Sequence, residues 1–210
     1  MSENNDKTKR ILLCFLSVML LGMSTALCMK SGFGTNSVAT LFSGISKVTK
    51  LNIGFTANTI NTVLSIVIFI KNKKYINIGT IVYAVFMGHA INFIIFLYDF
   101  LNIPNILVIK IFDSIVGCFL CFLSVGMFVA AGVGVNPWAA LGLILRDKFG
   151  KSFGIMKMVV DVSALIIGYL LGGKIGIITI VTAFLTGPCA EKISNNIRNF
   201  LSKNGAGGET

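Results

Sequence analysis

The 210-residue sequence is 55% hydrophobic and 12% charged, whereas soluble globular domains have about 25% charged residues. This composition argues against a soluble domain, and the length accommodates about six membrane-spanning helices with short loops. The net charge of +10 does not predict nucleic-acid binding, because the basic residues separate apolar runs instead of forming one basic face.

Six segments are long and apolar enough to be membrane-spanning helices. The first follows a short basic stretch, as a signal peptide would, but it is longer than a usual signal-peptide core, and we interpret it as a retained helix. The last contains Gly187 and Pro188, which membrane helices tolerate when neighbouring groups satisfy the freed backbone. In chain order the segments are 11–29, 54–70, 76–97, 106–130, 154–171 and 175–191.

Two shorter segments, 37–49 and 137–149, raise the alternative of eight spans. Each has 13 residues, which as a helix cover about 20 Å, against about 30 Å for the hydrocarbon core of a bilayer. Length therefore favours six spans. The two segments are predicted to be interfacial or re-entrant amphipathic helices.

The positions of Lys and Arg predict the orientation of the spans. With both termini cytoplasmic, twelve basic residues lie in inner segments and five in outer loops. The eight-span alternative gives the same count, so charge does not choose between the two topologies. We expect a multi-pass protein of a bacterial plasma membrane, with residues 1–10 and 196–210 as cytoplasmic tails, the latter flexible.

The sequence contains an internal repeat with an offset of 100 residues. GFGTNSVATL at 32–41 aligns with GVGVNPWAAL at 132–141, and further identities continue through both halves at offsets of 100 and 99. The repeat predicts an all-α membrane protein made of two three-helix units, 11–98 and 106–193. Because three spans are an odd number, the second unit is expected to have inverted topology relative to the first.

The two GxGxN turns are candidate binding elements. Glycine permits backbone angles closed to other residues, and asparagine is a good N-cap for the short helix that follows. A helix start with free N–H groups suits an anion or a carboxylate, although a plain turn with a capped surface helix is the alternative interpretation. The candidate residues are Gly32, Gly34 and Asn36 in the first turn and Gly132, Gly134 and Asn136 in the second.

Ionisable and polar residues inside the spans are further candidates for substrate binding. Asp161 lies in the fifth span, where a charge is costly and suggests function, and Lys157 lies one helical turn before it. A structural ion pair is the alternative. Asn61 aligns with Asp161 in the repeat, Asn58 is nearby, and His89, the sole histidine, lies in the third span.

No sequence pattern predicts an enzyme. The sequence lacks HExxH, GxSxG and Walker motifs, and with one histidine a metal site of several protein ligands is hard to assemble. We therefore predict no catalytic residues, no metal and no cofactor. Trp138 is predicted to be an anchor at the membrane interface.

The sequences GVGVNPWAAL and GKSFGIMKMVVDVSALIIGYLLGGKIGIITIVTAFLTGP resemble the YczE/YyaS/YitT-type bacterial membrane proteins. The shared elements are the GxGxxPW turn, a basic residue four positions before an aspartate (here Lys157 and Asp161), the LLGG turn and the closing GP. The likeness covers about residues 11–195 and implies the membrane architecture. This chain has Lys157 where the family often has Arg, and GFGTNSV where the first repeat commonly has a Gly-Pro-Trp-like turn.

The leading functional prediction is a transporter-like protein that moves a small polar or anionic solute through a site between the two repeats. Two alternatives stay open: a non-transporting accessory or regulatory membrane protein, and the substrate-binding subunit of a multi-component importer. The expected partners are the lipid bilayer, a small-molecule solute, and a second copy or another membrane protein.

Overall fold

The computed structural model describes residues 2–205, and they form eight α-helices and one 3-10 turn. The prediction of an all-α protein with six long apolar helices is confirmed, and the two 13-residue segments are separate short helices. The α-helices are α1 (Ser2–Ser31), α2 (Ser37–Thr49), α3 (Ile53–Lys71), α4 (Ile78–Phe100), α5 (Leu107–Ala131), α6 (Pro137–Phe149), α7 (Phe153–Leu170) and α8 (Ile177–Gly205).

The ends of the helices differ from the predicted spans mainly at the two termini. Helix α1 begins at Ser2, within the predicted tail, and α8 continues through Pro188 to Gly205. Pro188 is tolerated because α8 is packed against α7 at this level: a Cβ at Gly187 would overlap the backbone of Gly154. Residues 206–210 of the predicted flexible tail lie outside the described residues.

The two GxGxN turns have the same local geometry. The first glycine of each turn ends a long helix with a positive φ, 77° at Gly32 and 66° at Gly132, a conformation that glycine adopts without steric cost. The Oδ1 atom of Asn36 accepts a hydrogen bond from the N–H of Ala39 at 2.8 Å. Asn136 caps α6 in the same way, at 2.7 Å.

Helices α1 and α5 form the centre of the bundle. They approach closely because Gly117 lies against Cys28 and the hydroxyl of Ser24 donates to the carbonyl of Gly117 at 2.7 Å. Helix α4 packs on α1 and α8 packs on α5, while α3 lies beside α4 and α7 beside α8. The long helices of the two halves of the sequence thus make corresponding contacts.

Each turn also contacts the start of the last helix of the other half. The N–H of Gly79, at the start of α4, donates to the carbonyl of Val133 at 2.9 Å, and the N–H of Ile178, at the start of α8, donates to that of Phe33 at 3.2 Å. These bonds satisfy helix N-terminal donors that otherwise lack partners. The turns therefore join the two halves.

The outer surface of the bundle is apolar. Large hydrophobic side chains are more than half exposed on the long helices, among them Leu12, Phe55, Phe96, Phe119 and Leu170. In water such an extended apolar surface would be unfavourable, whereas lipid solvates it. Together with the six long apolar helices, this surface is that of a multi-pass membrane protein.

Candidate functional site

A small cavity lies in the middle of the bundle, between the two halves. Its volume is about 30 Å³, room for about two water molecules. Seven of the eight α-helices line it, and almost all lining residues are buried. They are Leu21, Thr25, Asn36, Ser37, Val38, Ala39, Phe42, Tyr83, Met87, Cys121, Val125, Asn136, Trp138, Lys157, Asp161 and Thr186. We call this space the central cavity.

An ion pair on α7 supplies the charges of the central cavity. Lys157 Nζ donates to Asp161 Oδ1 across one helical turn, and the two side chains are 4% and 3% exposed. Helix α6 holds α7 in place here, since a Cβ at Gly142 would lie only 3.2 Å from the Cα of Lys157. The sequence predicted that Lys157 lies one helical turn before Asp161, and in the structure both residues line the cavity.

The short helices α2 and α6 both begin at the central cavity. Their N-caps Asn36 and Asn136, two of the candidates from the GxGxN turns, are among its lining residues. The amide of Asn36 is further held by Thr25, whose hydroxyl accepts from Nδ2 at 2.9 Å. The repeat has Val125 at the position equivalent to Thr25, so this hydroxyl has no counterpart at that position of the second half. The cavity therefore faces two positive helix ends from different halves.

The glycines of the turns position these helices without lining the central cavity. Gly34 and Gly134 have φ values of 109° and 125° and pack against the starts of α8 and α4 respectively. Gly132 and Gly134 border a separate groove that also contains Lys74 and Arg198. The four predicted glycines are thus structural neighbours of the site, and the asparagines are its lining residues.

Asn61 is buried behind the cavity wall and does not line it. Its Oδ1 accepts from Trp138 Nε1 at 2.9 Å, a bond between α3 and α6, and among the described residues its Nδ2 has no hydrogen-bond partner. The prediction that Trp138 is an interfacial anchor is wrong, because this side chain is 8% exposed and lines the cavity. Its partner Asn61 explains why an indole N–H is stable there.

Neither His89 nor Asn58 lines the central cavity: His89 lies on the outside of α4, and Asn58 is half-buried between α3 and α4. His89 is exposed, with Nδ1 at 2.8 Å from the carbonyl oxygen of Val85 and 3.2 Å from Asn58 Nδ2. Asn58 Oδ1 also accepts from the N–H of Gly88 at 2.8 Å. These two candidates link neighbouring helices and do not join the ion pair.

Several lining residues were not predicted from the sequence. Ser37 follows the N-cap Asn36, so its place in the first turn of α2 could have indicated it. Tyr83, Cys121 and Thr186 resemble other polar residues of the spans, and only the packing brings them to the cavity. Within the described part of the chain, no group of three or more His, Cys, Asp or Glu is arranged to hold a metal ion.

Comparisons with known proteins agree with the resemblance seen in the sequence. Residues 8–195 match the model of the Family of unknown function (DUF6198). The uncharacterized protein YyaS of Bacillus subtilis is 27% identical over 198 residues, 91% of this chain and 96% of YyaS. An uncharacterized protein of Haemophilus influenzae is 26% identical over 195 residues, 91% of this chain and 85% of that protein.

A third relative is the uncharacterized membrane protein YczE of Bacillus subtilis, which is 29% identical over 117 residues, 55% of this chain and 52% of YczE. No solved structure matches the chain. Since the family model covers most of the sequence, the chain belongs to the Family of unknown function (DUF6198).

Proposed function

We propose that this member of the family is a carrier that moves a small polar or anionic solute through the central cavity, without enzymatic chemistry. The observation that carries the proposal is a cavity between the two halves that is lined mostly by buried residues and contains a buried ion pair. Solute sites of secondary transporters typically lie near the bilayer midplane between structural repeats.

The ion pair supports a binding role because it is costly where it stands. A charged residue at the centre of a membrane helix costs at least about 2.5–3.5 kcal/mol on insertion scales. The helix dipole does not offset this cost, since Lys157 lies nearer the positive end of α7 than Asp161 does. Groups kept at such a cost are commonly part of a substrate or ion pathway.

We propose inverted topology for the two halves. The reciprocal hydrogen bonds from Gly79 to Val133 and from Ile178 to Phe33 support a two-fold relation between the halves, and an odd number of spans in each half requires that axis to lie in the membrane plane. With three spans in each half, the orientations must be opposite. We also propose that α2 and α6 are re-entrant, since each is 13 residues long and begins at the central cavity.

The proposed location is a bacterial plasma membrane, with both termini in the cytoplasm. The twelve basic residues of the inner segments, against five in the outer loops, support this orientation. In a variant without native cysteines, external labelling should reach Val48→Cys or Asn102→Cys but not Lys73→Cys or Gly150→Cys. Labelling of position 73 from outside would contradict the inverted arrangement.

Solute uptake into proteoliposomes tests the carrier proposal. Protein reconstituted with a panel of small labelled solutes should give saturable uptake of at least one. Asp161→Asn should abolish that uptake while the protein stays folded, because the amide keeps the shape and loses the charge. The matched control is Asp99→Asn, the same change at an exposed carboxylate paired with Lys30, and it should retain uptake.

A different result would favour one of the alternatives. If the Asp161→Asn variant takes up the solute as the natural protein does, the solute does not pass through the central cavity. No uptake of any solute, together with stable copurification of another membrane protein, would favour an accessory role. Copurification of an ATPase that restores uptake would favour a subunit of an importer.

A further inference from the structure

The hydroxyl of Ser37 is a buried hydrogen-bonding group at the central cavity. Ser37 is 2% exposed and lines the central cavity. Among the described residues, its Oγ has no hydrogen-bond partner. Buried hydroxyls are nearly always satisfied, and an exception calls for an explanation such as a ligand. The unpartnered hydroxyl is the first sign that the cavity accepts a polar molecule.

The backbone beside Ser37 offers further donors. The first N–H groups of a helix have no partner within it, and Asn36 Oδ1 takes only that of Ala39. Ser37 and Val38 both line the cavity, so their N–H groups, which have no acceptor within α2 itself, lie beside the hydroxyl. All these groups can donate a hydrogen bond, a combination that suits an acceptor-only ligand such as an anion.

The charges around the central cavity indicate the charge of this ligand. Lys157 and Asp161 cancel one another, and each helix N-terminus adds about half a positive charge. Helices α2 and α6 together contribute roughly one positive charge, which a monovalent anion would neutralise. A divalent anion would leave an uncompensated negative charge in a buried place, and a cation would face two positive helix ends.

The two halves do not contribute equally to this environment. Position 137, equivalent to Ser37, is proline, which has neither a hydroxyl nor an N–H. Helix α6 therefore keeps its dipole but loses two donors. The hydrogen bonds to the ligand come mainly from the first half, and the ion pair comes from the second.

We infer that the central cavity binds a small monovalent anion, of the size of formate, through Ser37 Oγ and the first N–H groups of α2, facing Lys157. The inference rests on the proposed function, because it names the substrate class of the same site. The cavity volume of about 30 Å³ sets the size of the ligand, since two waters occupy about as much space as a three-atom anion.

Trp138 provides a direct measurement, because it is the single tryptophan of the chain and lines the cavity. Its emission in the purified protein should change saturably with sodium formate. Sodium gluconate, which is too large, and sodium sulfate, which is divalent, should produce no saturable change at matched ionic strength. An equal response to sulfate, or no response to formate, would overturn the anion assignment.

The variant Ser37→Ala should weaken formate binding by about tenfold or more, the usual effect of losing a hydrogen bond to a charged group. Its thermal stability without formate should not fall, because the change removes an unsatisfied buried hydroxyl. The matched control is Ser17→Ala, at a buried serine of α1 whose Oγ donates to the carbonyl of Cys14 at 2.6 Å. That variant should bind formate as the natural protein does.

Ser37→Cys serves as a second variant if Ser37→Ala does not fold. It keeps the size of the side chain and offers only a weak donor, so it should also weaken formate binding. Formate binding that is unchanged in a folded Ser37 variant would overturn the role of this hydroxyl and of the α2 N-terminus.

Proteoliposomes separate the anion site from the carrier proposal. Saturable formate binding without formate uptake would contradict the carrier function and support the anion site. Uptake of an uncharged solute such as urea, without formate binding, would support the carrier function and overturn the anion assignment.

Discussion

The two halves of the molecule share a backbone plan and differ in the chemistry they bring to the centre. In both, a glycine ends a long helix and an asparagine caps a short one. Yet the second half has Lys157 and Asp161 where the first has Ala57 and Asn61. Packing requirements explain the shared glycines and caps. The polar side chains at the cavity are free of those requirements, so the halves have different roles there.

The difference extends to the way each half closes around the cavity. Helix α2 packs closely on α7, where a Cβ at Gly168 would overlap the backbone of α2. Helix α6 is joined to α3 by the hydrogen bond from Trp138 Nε1 to Asn61 Oδ1. One side thus relies on close backbone packing, and the other includes a hydrogen bond between side chains.

The largest expected effect concerns the charges of the second half. Asp161→Leu leaves Lys157 buried without its partner, and we expect the free energy of unfolding to fall by about 3–5 kcal/mol. The double variant Lys157→Met with Asp161→Leu should recover most of that loss, because no unpaired charge remains. Unfolding in detergent, followed by circular dichroism, measures both. A single variant as stable as the natural protein would contradict the buried pair.

The two turns should differ in their tolerance of a side chain. Both Gly34→Ala and Gly134→Ala place alanine at a positive φ, at a cost of about 1–3 kcal/mol each. Gly34→Ala also drives Cβ into Thr179 Oγ1, whereas the nearest atom to a Cβ at Gly134 is the nitrogen of Thr80 at 3.1 Å. Gly34→Ala should therefore cost about 1–3 kcal/mol more, as overpacking does. Equal thermal unfolding of the two variants would contradict this difference.

The contact between α6 and α3 should have a smaller effect. Trp138→Phe removes the 2.9 Å hydrogen bond and leaves Asn61 buried without a partner, which should cost about 1–3 kcal/mol. Adding Asn61→Leu should restore part of the loss, because the unpaired amide is then gone. A double-mutant cycle of unfolding free energies measures the coupling. A coupling close to zero would show that the bond is dispensable.

The smallest expected effect is at the end of the bundle away from the cavity. Lys30 and Asp99 form an ion pair whose side chains are 26% and 63% exposed, and such pairs contribute about 0–1 kcal/mol. Asp99→Asn should therefore shift the unfolding midpoint only slightly, and added salt should reduce the difference further. A loss as large as that of Asp161→Leu would contradict the distinction between the exposed and buried pairs.

The architecture was largely predictable from the sequence, because length and apolarity decide which segments can cross a bilayer. The six long helices, the two short ones and the caps Asn36 and Asn136 follow from local chemistry within a few residues of each position. The repeat of the GxGxN turn was visible for the same reason, since a positive φ restricts the residue locally.

The tertiary structure decided which polar side chains meet at the centre. In lipid, the outside of a helix is as apolar as the inside, so the pattern of a span does not reveal which face is buried. His89 was therefore a candidate for the site, yet it lies on the outside of the bundle. Asn61 was another candidate, and its side-chain oxygen accepts a hydrogen bond from Trp138 instead of facing the cavity. The place of Ser37 beside Lys157 and Asp161 depends on how α2 and α7 cross, a long-range arrangement that no local pattern records.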